Sequence, residues 1–150
     1  MTIFDFFKRR KKDETIKKKT SRKRIGDIGE DLAADYLKDH GYEIVSRNVR
    51  ISHKEIDIVA KNDLYTVIVE VKTLSLSKFE AEQERHRASE QIDREKAKNI
   101  LLAANAYKSM HYDGRSIRID VIEVYLGAKE PEIVHIENAI GYNTLNRHRR

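Results

Sequence analysis

The apolar positions of this chain change period several times, and each change marks an element. Ile25, Ile28, Leu32, Ala33, Tyr36 and Leu37 recur at helical spacing until Gly41 stops the pattern. This predicts a helix from about Gly26 to His40. Ile44, Val45, Val49 and Ile51 predict a strand over Tyr42–Ile51, and Glu55–Ala60, which alternates acid and aliphatic, a second. Lys61-Asn62-Asp63 is a turn signal. Leu64–Lys72 is nearly continuous β-branched sequence, as expected of a central strand buried on both faces. Segment 73–88 is polar and reads as a mobile loop or an irregular helix start. Ile92, Ala97, Ile100, Leu101, Ala104 and Tyr107 then share one side of a long helix over Ser89–Met110. After a turn at Tyr112-Asp113-Gly114, Ile117, Ile119 and Val121 alternate with Arg118 and Asp120 in a strand over Ser116–Tyr125. Pro131 opens a short fifth strand, Glu132–Ile136. The order α-β-β-β-α-β-β predicts an α/β fold, a mixed sheet flanked by helices with Leu64–Lys72 in its middle.

Two of these strands carry charges where an apolar strand should not. Asp57 lies within Glu55-Ile56-Asp57-Ile58-Val59-Ala60, and Glu70 and Lys72 lie in Glu70-Val71-Lys72. A buried ionised carboxylate is costly unless it is paired, hydrogen-bonded or bound to a metal. Side chains two apart on a strand share a face. A hairpin of the two strands therefore puts Asp57, Glu70 and Lys72 together, with Glu55 beside them. Carboxylates so placed repel unless a cation sits between them, and their hard oxygens suit Mg²⁺ or Mn²⁺. Lys72 would orient the attacking water or stabilise charge on a phosphoryl transition state. Glu30 sits at the edge of the first helix's apolar stripe, where it is either an exposed helix glutamate or a further metal ligand. A strand-edge ion pair is the competing reading of Glu70 and Lys72. His53 reads as a surface-loop histidine and His135 as a structural one, and neither zinc-ligand spacing nor a glycine-rich phosphate loop occurs.

Charge changes the picture of the N-terminus. The net charge is +5 over 150 residues. Residues 1–24 contain eleven Lys/Arg and three Asp/Glu, a net of +8, so the remainder is net −3. The basic character belongs to an arm, read as a flexible, solvated tail, as a source of sequence-independent attraction to phosphates, or as a weak membrane-surface anchor. There is no cysteine, which fits a reducing cytoplasm. No apolar run approaches the ~20 residues of a membrane span, and the apolar start Ile3–Phe7 is too short and unflanked for a signal peptide.

Several blocks in one order resemble the YraN family of the PD-(D/E)xK restriction-endonuclease-like superfamily. They are Gly26-Asp-Ile-Gly29-Glu30 with Ala33, Tyr36 and Leu37; Gly41-Tyr42; Arg47-Asn48-Val49-Arg50; Glu55-Ile-Asp57-Ile-Val-Ala60; Val69-Glu70-Val71-Lys72-Thr73; Lys96; Arg118-Ile119-Asp120-Val121; and His135-Ile136-Glu137-Asn138-Ala139. The resemblance implies an αβββαβ core and metal-dependent phosphodiester hydrolysis by Asp57, Glu70 and Lys72. It is also similar to archaeal Holliday-junction resolvases, which implies Glu30 as a metal ligand with Asp57 and Glu70, and an assembly that often dimerises. Two departures stand out. Lys54 replaces the usual glycine before Glu-Ile-Asp, and Leu74 replaces the usual arginine after Val-Lys-Thr, with Lys78 or Arg85 as substitutes for the latter.

The expected organisation is a basic flexible arm (1–24), an endonuclease-like domain (25–140) and a basic tail (141–150). The expected activity is Mg²⁺- or Mn²⁺-dependent endonucleolytic cleavage of DNA, branched or damaged DNA included. The alternatives are a non-catalytic nucleic-acid-binding or accessory module and a protein-interaction adaptor using the surface of the same fold.

Overall fold

The computed structural model describes residues 3–75, 80, 94–127 and 130–141, with side chains from residue 21 onward. Helix α1 runs over Ile3–Asp39. Strands β1 (Glu43–Ile51), β2 (Lys54–Lys61) and β3 (Tyr65–Leu74) follow. Then come helix α2 (Arg94–Met110) and strands β4 (Ser116–Tyr125) and β5 (Glu132–Ile136). The five strands form one sheet in the order β1-β2-β3-β4-β5, so β3 is central as its composition predicted. All neighbours pair antiparallel except β3 and β4, which are parallel. A parallel pair needs a long crossover, and the segment containing α2 supplies it. This mixed sheet flanked by two helices is a restriction-endonuclease-like fold.

The first helix starts earlier than Gly26. Residues 3–24 are rich in Lys and Arg, contain no proline, and continue the helix that the domain begins. Its end is as expected. Gly41 takes φ +84°, and the Gly41 and Tyr42 N–H groups donate to the Lys38 and Leu37 carbonyls at 3.1 and 3.0 Å. These two bonds cap the last turn in the pattern that favours glycine. Ala33, Ala34 and Leu37 are buried on one side of the sheet, against Ile58, Ala60, Val67, Val69, Ile122 and Val124. Ile28, expected in that stripe, is 49% exposed, because the face that meets the sheet runs through Gly29 and Ala33 and leaves Ile28 to one side.

Helix α2 covers the other face. Ala97, Ile100, Leu101, Ala104 and Tyr107 pack with Ile56, Val59, Ile68, Ile119 and Val121. Ile92 and the expected start of this helix at Ser89 lie outside the described residues. Each fully buried aliphatic side chain contributes about 1.5–3 kcal/mol relative to exposure, and the two clusters clamp β3 from both sides. Asn62 closes the β2–β3 turn, its side-chain oxygen accepting from the Leu64 and Tyr65 N–H groups at 3.0 and 2.8 Å.

Strict alternation breaks twice in the β1–β2 hairpin, at a register shift between Ile44 and Ser46 and again one rung beyond Arg47. Ile58 and Ala60 pack under α1, yet Ile56 packs under α2. On β1, Arg47 reaches α1 whereas Val49 and Ile51 pack under α2. Arg47 pairs with Ile58 and Val49 with Ile56, so Asn48 and Asp57 occupy the rung between. Asn48 has φ +52°, a conformation asparagine tolerates better than most residues. The hairpin thus turns over at Asp57. Glu55, expected beside Asp57, instead lies exposed opposite Arg50 at the hairpin tip.

Candidate metal site

Strands β2 and β3 pair from Lys61↔Thr66 only as far as Ile58↔Val69. The next rung would hold Asp57 and Glu70, and there the ladder ends. The Val71 N–H donates instead to the Asp57 carboxylate, Oδ2, at 2.8 Å. Asp57 therefore fills the gap between two diverging strands, held by the backbone of the strand that carries Glu70 and Lys72.

Glu70 is 8% exposed on the central strand. Val67, Val69 and Val71 pack toward α1 and Ile68 toward α2, so alternation sends Glu70 and Lys72 to the α2 face. There the Lys96 ammonium, from α2, contacts Glu70 Oε1. Among the described residues Glu70 is paired by Lys96 and not by Lys72, and the strand-edge ion pair is ruled out by β3's central position.

The Asp57 carboxyl is pushed up to about 7. Burial is the main cause and the Glu70 charge the second; the Val71 N–H holds it down in part, Glu30 pushes it up and Lys96 pulls it down. All four act on Asp57 at this one corner of the sheet.

Glu30 is brought to this corner from the other side. A Cβ on Gly29 would overlap the Thr73 side chain on β3, so only glycine lets α1 approach so closely. Glu30 follows directly, mostly buried, with Arg47 Nη2 3.7 Å from its Oε2. Arg47 also holds Asp31 at 2.7 Å. Glu30 raises the Asp57 carboxyl but does not close around it. Among the described residues no three His, Cys, Asp or Glu side chains lie near enough to hold one ion together.

The donor set nonetheless fits a hard divalent cation. Two carboxylates come together where the ladder ends, one with its proton affinity raised by burial and then by the other's charge, and a cation between them relieves both. Mg²⁺ needs only one or two protein carboxylates when water and substrate oxygens complete its octahedron.

Sequence reasoning missed two contributors. Lys96 precedes Ile100 by one helical turn, at the edge of α2's buried stripe, which is the signal that points it at the sheet. Arg47 carries no such signal, because its direction depends on the register shift between Ile44 and Ser46 and on the turnover at Asn48. His53 is exposed in the β1–β2 turn, and Lys78 and Arg85 lie outside the described residues.

A second polar cluster lies under α1 and is structural. Asp120 is 0% exposed and accepts from Arg118 Nε at 2.9 Å, His135 Nε2 at 2.8 Å and the Asn138 N–H at 2.9 Å. Burial alone would raise its carboxyl, but the bonds from His135, Arg118 and Asn138 hold it below the ordinary aspartate value. Arg118 also donates to the Tyr42 hydroxyl at 2.7 Å, and that hydroxyl donates to Glu137 at 3.1 Å. His135 is the structural histidine its strand position suggested, and the cluster ties β5 and the segment after it to β4.

The family model described as "Uncharacterised protein family UPF0102" matches residues 29–124, a span containing Glu30, Asp57, Glu70, Lys72 and Lys96. A UPF0102 protein of Dehalococcoides mccartyi is 34% identical over 122 residues, 81% of this chain and 96% of that protein. One from Alkaliphilus oremlandii is 40% identical over 117 residues, 78% of this chain and 97% of its own length. One from Bacteroides thetaiotaomicron is 38% identical over 115 residues, 77% of this chain and 90% of its own.

Proposed function

This chain belongs to the UPF0102 (YraN) family, and we propose that it is a divalent-metal-dependent endonuclease that hydrolyses DNA phosphodiester bonds, with branched or damaged DNA as the substrate class. The observation that carries the reading is the crowding of Asp57 against Glu70 where β2 and β3 part. A purely structural role would put an apolar pair or a carboxylate–lysine pair on that rung. Two carboxylates there raise the cost of burial, and a bound cation lowers it.

Asp57 and Glu70 would hold Mg²⁺ or Mn²⁺, with Glu30, which now faces Arg47, as a further candidate ligand. The ion supplies polarisation of the scissile phosphate and a more acidic water. Lys72, two residues from Glu70 on the same face, would orient that water or stabilise the charge that builds on the phosphoryl oxygens. Asp57 is fixed by the Val71 N–H, so its free oxygen is aimed without a rotamer search. The helical, strongly basic residues 3–24 would supply salt-dependent attraction to the phosphate backbone. A cysteine-free chain acting on DNA belongs in the cytoplasm under this reading. Among the described residues no helix is long and apolar enough to cross a membrane.

The test is a panel of plasmid, linear, single-stranded, flap and four-way-junction DNA with Mg²⁺ and with Mn²⁺. Asp57→Asn and Glu70→Gln keep shape but remove ligand charge, and each should abolish cleavage while DNA binding in EDTA persists. Lys72→Ala should lose cleavage and keep metal binding. No cleavage of any substrate, with no metal-dependent rise in melting temperature, would favour a non-catalytic binding module.

A further inference from the structure

We propose that Lys96 is a positioning residue that acts as the site's resident counter-cation: its ammonium holds Glu70 in the ion-free protein and must leave before a divalent ion can take that carboxylate. The inference deepens the metal-site reading above and rests on it.

The argument starts from Glu70. A carboxylate 8% exposed on a central strand needs a compensating charge. Lys72 shares its strand face, yet among the described residues the cation in contact with Glu70 comes from a different element, α2. That contact is made to Oε1, and the same ammonium lowers the proton affinity of Asp57. Lys96 therefore sits on one of the two carboxylates between which an ion would bind, and within electrostatic reach of the other. An ammonium and a divalent ion on the same oxygen repel at a separation where their Coulomb energy is large, so one displaces the other.

The two partners differ in freedom. Glu70 is fixed by β3, which at this position is paired with Val121 of β4 and lies between the two helices. The Lys96 side chain is 52% exposed, and its neighbour Ala97 is packed into the core. The helix is thus anchored while the flexible four-carbon stem can swing its charge into solvent. Release costs the protein no backbone movement. The device neutralises the site in the absence of metal and sets a threshold concentration for loading it.

The experiment is calorimetric titration of the full-length chain with Mn²⁺ alone. Lys96→Met and Lys96→Gln remove the charge, Lys96→Arg keeps it, and Lys98→Met removes an exposed charge two residues further along the same helix. Lys96→Met and Lys96→Gln should bind Mn²⁺ at least about fivefold more tightly than wild type, the lower bound of ordinary coupling between sites. Lys96→Arg should stay near wild type, and Lys98→Met should be unchanged. Melting in EDTA gives a second readout. Both charge-removing variants should melt below wild type in EDTA, and saturating Mn²⁺ should erase the difference. Equal Mn²⁺ affinity in wild type and both charge-removing variants overturns the exchange and leaves the metal site standing. Equal tightening in Lys98→Met also overturns it, because general surface charge then accounts for the gain. No Mn²⁺ binding by any protein refutes the metal site itself and the exchange with it.

Discussion

The behaviour of Asp57 follows from where its carboxyl is held. In the unfolded chain it ionises near 3.8; in the fold, burial and then Glu70 raise it to about 7. The folded protein therefore binds a proton that the unfolded chain has lost between those values. The stability this proton contributes is complete below about pH 4 and is lost as pH rises through about 7. The expected outcome in EDTA is that Asp57→Asn gains melting temperature over wild type as pH is raised from 5 to 8. Excess Mg²⁺ should shrink that gain, because the ion replaces the proton as the compensating charge. Scanning calorimetry of both proteins across this window, with and without Mg²⁺, measures the difference. A gap that does not change with pH would mean Asp57 is ionised throughout. Asp120 has the opposite sign: its carboxyl is held low, so its contribution is present above 3.8 and fails only in acid.

At the scale of elements, the site is an arrangement of close approaches. Glu30 reaches the sheet because α1 packs on β3 at Gly29, where the Thr73 side chain occupies the space a Cβ would need. Gly29→Ala should force α1 outward or rotate Thr73, at about 1–3 kcal/mol, the usual cost of overpacking. The displacement would carry Glu30 away from Asp57, so metal affinity should fall along with stability. Pairing Gly29→Ala with Thr73→Ala, which removes Oγ1 and Cγ2 and leaves only the Thr73 Cβ in the way, should restore part of both, read by urea melts and Mn²⁺ titration. Helix propensity favours alanine over glycine and cannot supply the cost, so failure of the second change to rescue would mean that the Thr73 side chain is not what the new Cβ meets. The turnover at Asn48 and Asp57 is the other device at this scale. It sends Arg47 to α1 and Ile56 to α2, so a hairpin that reads as plain alternation serves both cores.

For the whole molecule, charge and stability are separated. The buried clusters draw on residues from Ala33 to Ile140, while the +8 of residues 1–24 lies on the helical stretch before them. Deleting residues 1–24 should lower affinity for duplex DNA and flatten its dependence on salt, since fewer counterions are released. Melting temperature should stay almost unchanged. Anisotropy titrations at several salt concentrations, beside a thermal melt, check both halves. Loss of folding on truncation would mean that the early turns of α1 support the domain.

The chain's own pattern determined the element order, the two core helices and the central place of β3, because each depends on a local period of apolar residues and those periods are unmixed. It also singled out Asp57, Glu70 and Lys72, because a charge in an otherwise apolar strand is anomalous wherever the strand ends up. Three features depended on tertiary structure. The helical start at Ile3 was hidden because residues before Gly26 lack an apolar stripe, although their propensity permits helix. The turnover at Asn48 was hidden because a single positive φ changes the phase of a strand without changing its composition. The pairing of Glu70 with Lys96 was hidden because the nearer lysine in sequence, Lys72, is the obvious partner. Which cation reaches a buried carboxylate is settled by the packing of α2 across the sheet, and no local period records the distance between elements that the chain brings together only when it folds.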